Sequence, residues 1–161
     1  MSIDSSWLVA IGSIVADDHG FAVLVKPEFN AGLLGLSKFS HAHILWWAHQ
    51  CDAPQEREAL ICKRPYTHSP DDVGVFGSRS PKRPNPMGLS VVPILQVNRE
   101  EGLIRIPYVD AEPGTPVIDI KPYFNALDRL ETATGPDWCR HWPQSYEASA
   151  GFDWDREFTD A

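Results

Sequence analysis

Three stretches in the second half of the chain decide the fold: Leu89–Val97 (LSVVPILQV), Leu103–Val109 (LIRIPYV) and Val117–Tyr123 (VIDIKPY). Each is dense in β-branched and aliphatic residues, which fit a pleated, half-buried surface. The connectors Asn98–Gly102 and Asp110–Thr115 carry the Asn, Asp, Gly and Pro of tight turns. Consecutive strand-like runs with no helical period between them predict an antiparallel meander rather than βαβ units. Working outward, Trp7–Val15 and Phe21–Val25 are two further apolar runs, separated by Asp17-Asp18-His19-Gly20. Phe39–His49 (FSHAHILWWAH) is too short for a typical amphipathic helix. As a strand it places His41, His43, Leu45, Trp47 and His49 on one face, with Ala42, Ile44, Trp46 and Ala48 on the other. Pro54–Cys62 reads either as a helix over Gln55–Leu60 or as a strand over Ala59–Cys62, and residues 125–131 predict one short helix. Fourteen prolines and eleven glycines keep all these pieces short. The expected fold class is all-β, with a short helical or irregular C-terminal tail.

Composition sets the outer limits. A chain of 161 residues with 43% hydrophobic and 11% aromatic residues is one domain's worth of sequence and can bury a core. No apolar run approaches the roughly 18 residues of a membrane span, and the start lacks a basic segment followed by an apolar one. A soluble, cytoplasmic protein with no membrane partner is therefore expected. The three cysteines, Cys51, Cys62 and Cys139, imply no disulfide framework. The net charge of −8 argues against holding nucleic acid by general electrostatics. The charge is uneven, however: residues 131–161 set seven acids against Arg140 and Arg156, whereas residues 77–90 carry Arg79, Lys82 and Arg83 with no acid.

That basic segment is the most unusual in the chain. In GVFGSRSPKRPNPMG (74–88), Pro81, Pro84 and Pro86 fix φ and remove three backbone donors, which excludes a helix interior or a central strand. The result is a stiff, extended loop. It pre-positions Arg79 and Arg83 for a carboxylate or phosphate, with Asn85 able to donate and accept, or else it is simply a solvated connector. In GTPVIDIKPY (114–123), alternation puts Asp119, Lys121 and Tyr123 on one face and turns Ile118 and Ile120 toward the core. Such a polar row is either an ion pair on a solvated sheet face or the floor of a site. His41 and His43 share a face with His49 and Cys51, but His49 lies roughly 20 Å of strand from His43 and no compact ligand pair follows, so no metal is expected. Neither GxGxxG, GxxxxGK[ST] nor GxSxG occurs, and no cysteine sits in an activating motif.

Three blocks carry a family resemblance. GVFGSRSPKRPNPMGLSVV (74–92) and DAEPGTPVIDIKPY (110–123) resemble the two signature blocks of the TrmO/TsaA-like family, and KPEFNAGLLGLSKFSHAHILWWAHQ (26–50) resembles its third. The resemblance covers roughly residues 8–140. It implies a small antiparallel β-barrel and S-adenosylmethionine-dependent N6-methylation of threonylcarbamoyladenosine beside the tRNA anticodon. It also implies a homodimer, while the composition of the chain itself, with Gly, Pro and acids between isolated tryptophans from Thr132 onward, sets a domain over 1–131 and an acidic tail over 132–161 that packs on it or frays. The cofactor is implied to lie against His49, Gln50, Arg79, Leu89, Tyr108, Val109 and Asp110. Arg83, Asn85, Asp119 and Lys121 fall on the polar signature positions expected to carry the chemistry, beside Tyr123. The chain departs from the family where Val15-Ala16-Asp17 replaces an Arg-Ser-Pro, where Pro113 replaces an Asp, and in lacking a basic C-terminal extension. These departures and the acidic balance keep two other readings open: methyl transfer to a small molecule, and a protein that binds the cofactor without turnover.

Overall fold

A computed structural model describes residues 8–159. The chain divides into two compact units, Met1–Asp52 with Asn85–Arg129, and Ala53–Pro84 with Leu130–Ala161.

The first unit is a seven-stranded antiparallel sheet. Its strands are β1 (Gly12–Asp17), β2 (Gly20–Val25), β3 (His41–Trp47), β6 (Met87–Pro93), β7 (Gln96–Asn98), β8 (Leu103–Ile106) and β9 (Pro116–Pro122), while β4 (Ile61–Cys62) and β5 (Val73–Gly74) belong to the second unit. The spatial order is β6-β3-β9-β1-β2-β8-β7. β1 and β2 form a hairpin in which Asp17 faces Gly20, so the loop is Asp18-His19 alone, and Gly20 takes up the left-handed backbone at φ 97°. The predicted run Trp7–Val15 is displaced toward the turn; Trp7 lies outside the described residues.

The meander is corrected. Only β7 and β8 pair as sequence neighbours in the second half, because β9 inserts between β3 and β1. Leu89–Val97 is not one strand either. After Pro93, Ile94 N–H donates to Ser40 O at the β3 side (2.8 Å), and Leu95 N–H donates to Arg105 O on β8 (2.9 Å). Two successive amides thus serve opposite ends of the sheet, which must curl until its outer strands meet at this corner. Among the described residues no ladder runs between β6 and β7, so the architecture seen is a curled antiparallel sheet with few helices.

The inner face carries the core. Ile14, Val23, Ala42, Ile44, Val92, Ile104, Ile106 and Val117 are sealed from solvent, and each buried Val or Ile side chain contributes about 1.5–3 kcal/mol of transfer free energy. Opposite Trp46 stands Gly88, where a Cβ would fall 2.1 Å from the indole; the ring therefore lies flat on bare backbone, its Nε1–H donating to Ser90 Oγ (3.0 Å).

The second unit is built differently. β4 and β5 form a two-residue ladder, and α1 (Pro54–Arg57) and α3 (Tyr146–Ser149) are single turns; α2 (Asn125–Asp128), in the first unit, is the shortened form of the helix predicted over 125–131. The C-terminal stretch is tied to residues 64–67 by a Tyr66–Phe158 bridge, by Thr67 N–H to Glu157 O (3.0 Å) and by Thr159 Oγ1 to Arg64 O (2.7 Å). Tyr66 stacks on Trp138 with centroids 4.7 Å apart and meets Trp142 edge-on, and Trp142 in turn meets Trp154.

Candidate functional site

The outer face of β6-β3-β9 brings together much of what the sequence singles out. Leu89, Leu45 and Asp119 stand opposite one another across the three strands, and Val91, His43 and Lys121 form the next row. Asp119 reaches this face because of a bulge: Leu45 pairs with Asp119 but Trp46 pairs with Val117, leaving Ile118 unpaired. Simple alternation would give Val117 and Asp119 the same face. The extra residue resets the phase, so Val117 is buried in the core and Asp119 points outward, the kind of re-aiming for which bulges recur near sites. Ile120 packs against the core as expected, whereas Ile118 is the half-buried spare residue.

Asp119 and Lys121 form an ion pair, Oδ2 to Nζ 2.7 Å, while Asp119 Oδ1 accepts the N–H of Ile120 (2.9 Å). The pair is exposed, and such pairs add little stability. Beside it, the His43 ring stacks on Tyr123 with centroids 5.6 Å apart. His43 Nε2 lies 3.2 Å from Asp128 Oδ1 without hydrogen-bond geometry, and Nδ1 is buried with no hydrogen-bond partner among the described residues. Asp128 Oδ2 accepts Phe124 N–H (2.7 Å), which fixes the carboxylate at the start of α2.

His49 and Gln50 are not on the strand. β3 ends at Trp47, and a turn follows in which Cys51 N–H donates to Ala48 O (2.8 Å). The five-residue face drawn from the sequence therefore stops at Trp47, whose indole N–H donates to Asp52 Oδ2. Tyr108, Val109 and Asp110 likewise lie beyond β8, which ends at Ile106. Tyr108 is 61% exposed and meets Phe21 edge-on; partial burial and the nearby Asp110 and Glu112 carboxylates raise its phenol above the usual value. Val109 sits in the core, so it can offer a ligand only its backbone, while Asp110 is exposed. Asn85 is exposed, and its carbonyl accepts the N–H of Met87 (2.7 Å) at the entrance to β6.

Arg79 and Arg83 belong to the second unit. Arg83 turns inward on its own loop, Nη1 to Ser78 O (3.3 Å) and Nη2 to Val75 O (3.1 Å), so part of its donor fork stiffens the segment the prolines already brace. Arg79 is exposed, and its backbone N–H donates to the Tyr66 hydroxyl.

One feature escaped the sequence reading. A cavity of about 620 Å³ lies among Ile11, Val25, Phe29, Leu33 and Ile120, with Glu28, Lys38 and Asp119 as its charged members. Its walls come largely from the 3-10 helix Pro27–Leu33 and the turn Leu36–Lys38. The sequence signal was the KPEFNAGLLGLSK stretch, which has no strand or helix period.

The family model for the tRNA-methyltransferase O N-terminal domain matches residues 10–129, from before β1 to beyond α2. The chain belongs to the TrmO family. Among TrmO relatives, a probable S-adenosyl-L-methionine-binding protein of Pyrococcus abyssi is 39% identical over 123 residues, covering 76% of this chain and 62% of that protein. The tRNA (adenine(37)-N6)-methyltransferase of Escherichia coli is 33% identical over 124 residues, covering 75% of this chain and 52% of the relative. The crystal structure of TrmO from Pseudomonas aeruginosa superposes with a TM-score of 0.64 at 24% identity, over 85% of this chain and 63% of that one, a likeness of fold. The chain thus spans between half and two thirds of the length of these TrmO proteins. No helix among the described residues is long and apolar enough to cross a membrane.

Proposed function

We propose that this chain is an S-adenosylmethionine-dependent methyltransferase acting on tRNA, at N6 of threonylcarbamoyladenosine beside the anticodon. The observation that carries this reading is the family match over residues 10–129, which takes in every strand of the seven-stranded sheet and both signature blocks. The activity is assigned to the segment 1–131, with 132–161 an acidic accessory tail, and the working form to a cytoplasmic homodimer.

The side chains present suit the cofactor. Leu89 and Leu45 offer an apolar strip, Asp110 an exposed carboxylate for ribose hydroxyls, and His43 Nδ1 a buried polar atom in want of a partner. His49, Gln50, Leu89, Tyr108, Asp110 and the backbone of Val109 are assigned to hold it. Arg79 is assigned to a carboxylate, which its planar fork matches. When bound, the cofactor supplies an electrophilic methyl group on a sulfonium. The protein's main task is to hold the acceptor nitrogen in line with that methyl, since orientation of this kind removes several kcal/mol of the barrier. Asp119 is assigned to take the proton from the acceptor nitrogen at Oδ2, the oxygen that Lys121 now engages. Lys121, Arg83 and Asn85 are assigned to anionic and hydrogen-bonding groups of the substrate.

Two observations favour other readings. The net charge of −8 favours a small-molecule acceptor, and the name of the Pyrococcus relative favours a binder without turnover. Transfer of a labelled methyl group to total tRNA from a strain lacking the modification, followed by digestion to nucleosides, separates them. Label in N6-methylated threonylcarbamoyladenosine is expected. Label only in a small-molecule extract, or saturable cofactor binding with no labelled acceptor, would overturn the tRNA assignment.

A further inference from the structure

The second unit gathers three metal-ligating side chains that no sequence spacing joins. His68 comes from the segment after Tyr66, His141 from the turn after Asp137–Cys139, and Glu157 from the C-terminal stretch. His141 Nε2 lies 3.0 Å from each oxygen of Glu157, and one ligand atom from each of the three residues falls within 4.8 Å of the other two. The His68 and His141 rings meet edge to face with centroids 5.0 Å apart. The rings are exposed at the surface, while Glu157 is buried, only 6% accessible. Trp142 Nε1–H donates to Glu157 Oε2 (2.8 Å), which pins one carboxylate oxygen and leaves Oε1 as the other available ligand atom.

A buried carboxylate is retained where it is paired or coordinates a cation. In a tetrahedral zinc site, Zn–N and Zn–O distances of about 2.0–2.2 Å put neighbouring ligand atoms about 3.3 Å apart. The His141–Glu157 separations already meet that spacing, and His68 needs to approach by about 1.5 Å at most, a rotation open to an exposed ring. The hydrogen bond from Trp142 is the kind of outer contact that orients a carboxylate ligand. The unit also has reason to need a fastening. Its buried apolar residues among the described ones are Tyr66 and Val75 alone, and units shorter than roughly 70 residues with so small a core are commonly stapled by a metal or by disulfides. Its two cysteines, Cys62 and Cys139, form no disulfide.

We infer that His68, His141 and Glu157 form a divalent-cation site, with Zn²⁺ as the preferred ion and water completing its coordination, that fastens the C-terminal stretch to the His68 segment of the second unit. Two imidazoles and one carboxylate suit zinc among the divalent ions, and hard all-oxygen ions such as Mg²⁺ poorly. None of the three residues lies in the outer face of β6-β3-β9 or is assigned to the proposed methyl-transfer chemistry, and His141 and Glu157 fall outside the family match.

The test uses the untagged full chain, stripped with chelator and titrated with ZnCl₂ by calorimetry, and with Co²⁺ followed by visible absorption. One ion per chain is expected, with ligand-field bands of a low-coordinate Co²⁺ centre and a thermal midpoint that rises with Zn²⁺. His68→Asn should weaken uptake at least about 10-fold and abolish the thermal shift, whereas His19→Asn, on the β1–β2 turn, should change neither. Because Glu157→Gln removes a group that also holds Trp142, the exposed His68 carries the decisive variant. No saturable uptake, or uptake unchanged in His68→Asn, would overturn the site; uptake without a thermal shift would overturn its fastening role.

Discussion

The two units solve the problem of staying folded with different materials. The first buries aliphatic side chains on the inner face of a curled sheet, Ile14, Ile44, Ile104 and Val117 among them, and its charged groups stand outside. The second buries Tyr66 and Val75, sets Trp138 and Trp142 against Tyr66, and closes around the carboxylate of Glu157. Dispersion and hydrophobic burial do not titrate; a buried carboxylate does. The lesson is that one chain can carry a scaffold indifferent to acid beside a region whose integrity depends on charge.

The comparison breaks first at the outer face of the sheet. If the chemistry rests on the first unit, Asp119→Asn lowers methyl transfer by about 100-fold or more, the usual worth of a positioned general base, while leaving cofactor affinity and the denaturation midpoint nearly unchanged, since its carboxylate engages an exposed lysine and the adjacent amide of its own strand. Steady-state kinetics with calorimetric cofactor binding checks this; unaltered turnover removes Asp119 from the reaction. Next in size is the scaffold itself. Ile44→Ala opens a void in a fully buried position and should destabilise the first unit by about 2–5 kcal/mol, seen in urea as a lower midpoint for the sheet's circular dichroism while the tryptophan signal of Trp138, Trp142 and Trp154 keeps its own. A single shared transition would mean that the units unfold together and that the contrast does not extend to stability.

The smallest effect, and the one that sharpens the contrast most, is acid. Hydrogen bonds from Trp142 and then His141 hold the Glu157 carboxyl below its ordinary value of 4.5. A depressed folded-state value means that the stabilisation is complete above the unfolded value and is lost as pH falls through the folded one. Tryptophan fluorescence of the second unit should therefore change as pH drops below about 4.5. In the first unit, the bidentate pair of Arg105 with Asp17, both contacts 2.7 Å, holds that carboxyl down to about 2, so the β1–β2 hairpin should keep its exchange protection over the same range. Simultaneous loss of both signals would contradict the division.

Where the sequence was legible, the information was local. The β1–β2 hairpin follows from the turn-like Asp17–Gly20 between two apolar runs, and the sharing of one face by Asp119, Lys121 and Tyr123, with Ile120 on the other, follows from alternation. Where it was not, the deciding interaction was distant. The meander failed because β9 finds its partners in β3 and β1, pairings that leave no trace in the spacing of residues 103–123. His49 was drawn into a strand because nothing in FSHAHILWWAH marks the turn that hydrogen bonding closes at Ala48–Cys51. The bulge at Ile118 is invisible without its partner strand, although the polar face depends on it. Histidines close in sequence drew attention to His41, His43 and His49, while the trio that converges in space, His68, His141 and Glu157, is dispersed along the chain.

The corner at Ile94–Leu95 has a counterpart at the other end of β6. Trp47 and Met87 face each other across the β3–β6 ladder, so the chain that departs after β3 returns beside its point of departure. Everything between them is topologically a hairpin loop, enlarged until most of it, Ala53–Pro84, shares the second unit with the C-terminal residues. Closing entropy grows only with the logarithm of such a loop, so its length is nearly neutral to the ladder it interrupts. The position is thus a natural port for grafting: evolution, or an engineer, can exchange what hangs there without re-registering a single strand.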